Sequence, residues 1–345
     1  MAKQYRRPLL TFYLSQPPMT GDRGQDFRTL PGAIDPGADA LVDALIRDVR
    51  ARQQMVRSAL DDDEAESLSF IGSKSLDHGV GDVSRDITRV IGFDLPEFRR
   101  ARTPEAAFAM LRDAAEGVGI FVLLIGNLGS HHTALEPEIF RGFALADNVA
   151  PFVVINDQDA KAAWSFTLLH EIVHLWIGET GVSGGAPNVG VERFCNDVAS
   201  EMLLPERDIA REHWVGVAHD FRRLENEISI FARPRNLSYS LVAYRLFRAR
   251  IIDRDMWERC CRHFRDLWRR QRASAREQAR QDDSSGPSYY VVRRHKLGKA
   301  LINFVRQQMN DGELSPTKAA KILGVKARSV GPLIRADQMA HEGRQ

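Results

Sequence analysis

Residues 166–178 read FTLLHEIVHLWIG. His170 and His174 stand four apart, so on a helix of 3.6 residues per turn they share one face. Glu171 follows the first of them. Leu168, Leu169, Ile172, Val173, Leu175 and Trp176 surround these polar residues, which predicts a helix buried on most sides. Burying unpaired imidazoles is costly, and one metal ion would satisfy both. HExxH on a helix aims two imidazoles at such an ion and sets a carboxylate beside it. Two histidines still under-coordinate a catalytic zinc, which takes three protein ligands and keeps a fourth place open.

The third ligand is expected on the next helix, VERFCNDVASEMLLP at 191–205. Glu192 comes after the glycine-rich connection TGVSGGAPNVG, which is long enough to reverse the chain. Asn196, four residues on, shares the face of Glu192 and is placed to orient a ligand. Asp197, Glu201 and Glu179 are competing ligands. Asp197 points about 100° away from Asn196, Glu201 lies more than two turns beyond Glu192, and Glu179 follows the helix-ending glycine. Glu192 therefore ranks first. Cys195 reads as a small core residue.

Outward from this pair of helices, GIFVLLIG (119–126), RGFALAD (141–147) and PFVVIND (151–157) are short apolar runs bounded by turn formers, hence three strands. A helix over 104–116 precedes them, the active-site helix covers about 159–177, and the next runs from about Val189 to Leu204, stopped by Pro205. Residues 105–205 thus form a small α+β domain with a mixed sheet. PFVVIND, just before the active-site helix, is expected to be the edge where an extended peptide adds as a strand.

The remainder is mostly helical. Residues 1–104 comprise a Pro/Gly-rich arm (1–34), an amphipathic stretch at 40–60 and shorter helical pieces; 206–280 is helical; QDDSSGPS at 281–288 is a linker by composition; and 289–345 is helical again. Two segments share a spacing suited to a helix-turn-helix. Ala232, Asn236, Leu237 and Val242 match Ala320, Gly324, Val325 and Val330 in offset: a small residue at the helix contact, a residue tolerant of positive φ, then apolar anchors. In the first, Arg233–Pro234 interrupts the pattern. In the second, Gly331–Pro332 is expected to break the second helix, while Lys318, Lys321, Lys326, Arg328 and Arg335 offer phosphate-type contacts.

The net charge of +2 conceals an asymmetry: from Glu206 onward there are 29 Lys/Arg against 17 Asp/Glu, so the first 205 residues are acidic. A basic C-terminal part suits an anionic partner, DNA among them. No apolar run is long enough for a membrane span or a secretory signal. The three cysteines (Cys195, Cys260 and Cys261) give neither a disulfide framework nor a CxxC site, which points to a reducing cytoplasm. Cys260, Cys261, Trp257 and Trp268 read as the inner face of a helix.

FRGFALAD, APFVVIND, FTLLHEIVHLWIG and VERFCNDVASEMLLP together resemble the ImmA/IrrE family of zinc metallopeptidases, which are zincin-like proteins of the gluzincin kind. The arm RPLLTFYLSQPP, the RARQ helix and the tail RRHKLGKALINFV…LSPTKAAKILGVK resemble its longer members, so the likeness covers most of the chain. It implies one zinc held by His170, His174 and Glu192, with Glu171 as catalytic base. It also implies an endopeptidase that cuts one intracellular partner, such as a helix-turn-helix repressor or an antitoxin. Many relatives of this length begin with a repressor-type helix-turn-helix domain. Here Met1 stands almost at the arm, so that head is expected to be lost or carried on a separate chain. Two other readings follow from the same residues: a DNA-binding regulator whose zinc fold is a sensor or scaffold, and the toxin of a toxin–antitoxin pair. Tyr239, Tyr244, His131 and His132 are candidates by residue type for stabilising an oxyanion.

Overall fold

A computed structural model describes residues 36–129, 133–178, 189–209, 211–281 and 288–335; the arm at 1–34, Glu179, His131 and His132 lie outside them. Helices α1 (Pro36–Asp62), α2 (Val80–Ile91), α3 (Leu95–Arg100) and α4 (Pro104–Gly117) precede strands β1 (Phe121–Leu124), β2 (Gly142–Leu145) and β3 (Phe152–Ile155). The active-site helix α5 (Lys161–Trp176) and α6 (Val189–Leu203) follow, then α7 (Arg211–Val215), α8 (Phe221–Ala232), α9 (Tyr239–Arg248) and α10 (Arg254–Gln281). The chain continues as α11 (Tyr289–Leu297), α12 (Lys299–Asn310) and α13 (Pro316–Leu323). The architecture is α+β, mostly helical around one small sheet. No helix among the described residues is long and apolar enough to cross a membrane.

The sheet order is β1-β3-β2, with β1 parallel and β2 antiparallel to β3. This overturns one expectation. PFVVIND forms β3, which is the central strand, bonded on both sides and closed to a substrate. Its sequence gave the reason: FVVI is apolar at every position, as strands buried on both faces are. Alternate residues serve two cores. Val122, Leu124, Ala144, Val153 and Ile155 face the active-site helix. Phe121, Leu123, Phe143, Leu145, Phe152 and Val154 face the other way, against α1 and α11–α13, through residues such as Leu45, Val49, Leu301 and Leu323. The first and last helical segments among the described residues thus combine to cover the far face of the sheet.

Helix α5 carries fourteen buried residues, so packing rather than capping holds it: Ala160 makes no side-chain cap. Its last carbonyls are satisfied from outside. Gly72 N–H donates to Leu175 O at 3.0 Å and Lys74 N–H to Trp176 O at 2.9 Å. The approach is close: a Cβ on Gly178, whose φ is +71°, would lie 3.0 Å from Gly72 Cα. Trp176 stacks on Phe70 with centroids 4.4 Å apart and donates from Nε1 to Asp86 at 3.0 Å.

The two segments with helix-turn-helix spacing fold differently. After α8, Arg233–Arg235 is a 3-10 turn and Asn236 takes a left-handed conformation, with Nδ2 donating to Phe98 O and Ala101 O. Helix α9 buries Leu241 through Leu246 in the main core, so no face remains for a DNA groove. In the second segment Gly331–Pro332 does not interrupt a helix. Ala327–Ser329 is a 3-10 turn and 330–335 is helical, so Pro332 falls in the first turn, where its missing N–H costs no bond. Cys260 and Cys261 are buried and form no disulfide among the described residues, and Trp257 stacks on Phe247, in keeping with a core face of α10.

Candidate metal centre and its edge strand

Helices α5 and α6 pack side by side and bring three donor atoms together. His170 Nε2 lies 3.3 Å from His174 Nε2 and 3.3 Å from Glu192 Oε2, and His174 Nε2 lies 3.4 Å from Glu192 Oε1. Zinc bonds of roughly 2.0–2.1 Å at tetrahedral angles separate neighbouring ligands by about 3.3 Å. The His170–His174 separation therefore has the dimensions of one edge of a zinc tetrahedron, and each imidazole faces a different oxygen of the Glu192 carboxylate at a similar distance. Two imidazoles and one carboxylate suit a divalent ion of the zinc type. Among the described residues this is the group of three whose ligating atoms fit one ion, all within 4.8 Å of one another and all buried. Burial works against the Glu192 carboxylate, yet the two imidazoles outweigh it and hold its pKa well below the usual range.

The other acids considered as ligands are engaged elsewhere. Asp197 accepts from Tyr244 Oη at 2.7 Å and from Arg248 Nε at 2.7 Å; Glu201 accepts from Arg245 at 2.6 Å. Asn196 is buried one turn below Glu192, and its Oδ1 bonds to none of the described residues. Nor do the Nδ1 atoms of His170 and His174, so helix packing holds these rings in place. Of the oxyanion candidates, Tyr244 is committed to Asp197, which together with burial raises its pKa, and Tyr239 accepts a hydrogen bond from Arg233 Nε at 3.0 Å.

Glu171 is buried and turned toward β2. A Cβ built on Gly142 would lie 2.9 Å from Glu171 Oε1, 2.7 Å from Thr167 Cγ2 and 3.0 Å from Val154 O. Only glycine leaves room for the carboxylate against the strand. The sequence reading missed this residue; the glycine opening GFAL was its single signal. Asn156 was also missed. It is fully buried, and its Nδ2 donates to Leu135 O and Phe140 O, both at 2.8 Å, which fixes the segment leading into β2. Arg141 then ties β2 to the start of α5 through Asp159 at 2.6 Å.

The ladder also shows which groups of β2 are left unpaired by β3. Asn156 N–H donates to Arg141 O, so Phe143 and Leu145 bond to β3. Gly142 and Ala144 turn their amides and carbonyls to the other side. At the opposite edge of the sheet, Arg112 caps β1 by donating to Val122 O. Replacing Gly142 by alanine is expected to push Glu171 aside: metal content stays at the wild-type level, and peptidase kcat falls about tenfold or more, a shift of at least ~1.4 kcal/mol in the barrier. Equal loss of metal and activity would instead place Gly142 in holding the ligand helix.

A short mixed sheet, an HExxH helix and a second helix supplying a glutamate define a zincin-like metallopeptidase domain. The comparison with known families agrees: residues 122–247 match the family model of the peptidase M78, IrrE N-terminal-like domain. This stretch of the chain is therefore a domain of the ImmA/IrrE kind, and it spans β1 through α9. No curated protein and no solved structure matches the chain.

Proposed function

We propose that the protein is a zinc-dependent endopeptidase that cuts an extended segment of a partner protein. One observation carries the reading: the buried His170–His174–Glu192 group, whose ligating atoms lie within 4.8 Å of one another, sits beside a buried carboxylate, Glu171, that lies against the edge strand β2. His170, His174 and Glu192 would hold the ion, which would supply Lewis acidity to the scissile carbonyl and to the attacking water. Glu171 Oε1 takes the proton of that water and returns it to the leaving amine. Gly142 and Ala144 pair with the backbone of the substrate in antiparallel fashion, which gives affinity independent of side chains. Water is limited at the carboxylate by its burial beneath β2 and among the apolar residues of α5. The narrower expectation, that the partner is a repressor or an antitoxin, rests on the family likeness.

The test begins with metal. Elemental analysis of the dialysed protein is expected to give about one zinc per chain. His170→Ala and Glu192→Ala are expected to bring this to background while circular dichroism stays helical. A wild type that binds no zinc when zinc is supplied would overturn the proposal.

A further inference from the structure

We infer that the C-terminal unit formed by α12, α13 and residues 327–335 is a binding face for double-stranded nucleic acid, separate from the peptidase site. Helix α13 begins with Ser315 as N-cap, its side chain accepting from Lys318 N–H, followed by Pro316. Gly324 ends it in the left-handed conformation at φ +59°. The chain then re-enters helical structure at 327–335. Ala319, Ala320, Ile322 and Leu323 on one side of this turn, and Val330 and Leu333 on the other, are buried in the same core. The outward face of the second element carries Ala327, Arg328, Gly331, Pro332 and Arg335, of which all but the half-buried Gly331 are exposed. Small residues between two arginines let a helical backbone approach the floor of a major groove, which is wide enough to admit a helix.

Charge is the second, independent observation. Elsewhere on the described surface several cations are matched to carboxylates, as in Arg57–Asp147, Lys161–Glu105 and Arg269–Glu138. Lys318, Lys321, Lys326, Arg328 and Arg335 are all exposed, and none has an ion-pair partner among the described residues. Asp311 and Glu313 are the acids of the unit among the described residues. Two more guanidiniums lie beneath the turn, and one of them, Arg52, pairs with Asp48. Arg293 donates to Gly324 O at 2.6 Å and to Leu323 O at 3.2 Å, and the Arg52 guanidinium fills the place where a Cβ of Gly324 would stand. Those contacts also hold the turn rigid, so its cations are presented in a fixed arrangement. A set of exposed cations without carboxylate partners among the described residues, on an anchored helical turn, fits the phosphates of a duplex; an acidic peptide would need a groove to lie in.

Fluorescence anisotropy of the full chain with a random-sequence duplex of thirty base pairs tests the assignment. Binding that rests on about four phosphate contacts weakens on the order of 150-fold between 50 and 200 mM salt. The quadruple variant Lys318→Gln, Lys321→Gln, Lys326→Gln, Arg328→Gln, at exposed positions, is expected to lose most of that binding and its salt dependence, with unchanged melting. Arg85→Gln on the distant helix α2 serves as control and is expected to bind as wild type. Three results would overturn the inference: no binding at 50 mM salt, a quadruple variant that binds like wild type, or poly-glutamate competing as well as DNA at equal charge concentration. The last would assign the face to an acidic protein.

Discussion

Glu171→Gln is expected to keep about one zinc per chain and native melting while cleavage falls by roughly 10²–10⁴-fold, the range of a lost general base. The amide has the shape of the carboxylate, so it fits the space left by Gly142 and does not disturb His170 or His174 on the neighbouring turns. It has no basic oxygen to take a proton from water. Cleavage is read as new N-termini in a proteome-derived peptide library, by mass spectrometry, beside the wild type and the metal-free Glu192→Ala protein. If the Gln variant cuts as fast as wild type, Glu171 is not the base. If wild type makes no new termini although it holds zinc, the metal site is structural or senses something.

The largest effect on stability is expected at Arg112, far from any chemistry. Its Nε bonds Glu116 at 3.0 Å, its Nη1 donates to His295 O at 2.5 Å, and its Nη2 donates to Val122 O. Glu116 in turn caps the start of α12, accepting from Lys299 N–H at 2.8 Å and Ala300 N–H at 3.0 Å. Gly298, at φ +82°, leaves no room for a Cβ between this pair and Val122. The pair thus closes the β1 edge and fastens the C-terminal helices to the sheet. Burial opposes both charges, lowering the Arg112 pKa and raising that of Glu116. Arg112→Ala strands a buried carboxylate and several carbonyls, and is expected to cost about 3–5 kcal/mol in urea denaturation. Arg112→Met combined with Glu116→Leu removes both charges and is expected to recover much of that loss. A single-variant cost below ~1 kcal/mol would mean that the pair is hydrated and the junction loose.

The reading of residues 105–205 came from signals that are local in sequence. The four-residue spacing of His170 and His174, the apolar residues around them and the glycine at 178 fix a buried helix with two ligands on one face, because helical period and side-chain burial are properties of neighbouring residues. Glu192 was legible for a related reason: it opens the next helix after a reversing loop. Three apolar runs marked three strands. Their order was not legible, since strand pairing is set by which segments meet in space. PFVVIND, chosen as the edge, became the centre, and the edge fell to GFAL with its glycine against Glu171.

The tertiary structure alone decided what the flanking helices do. Arg233–Pro234 and Gly331–Pro332 looked like equivalent interruptions, yet α9 is sunk in the core while residues 327–335 present an exposed basic face. The difference lies in what each segment packs against, which no local pattern records. Likewise the pairing of α1 with α11–α13 across the far face of the sheet joins residues some 250 positions apart, as in the bond from Gln308 to Asp63. Sequence determined the candidate ligand set, because one helix and the start of the next hold it. Only the fold determined the proposed substrate edge and the exposed cations, because both depend on which surfaces the rest of the chain leaves uncovered.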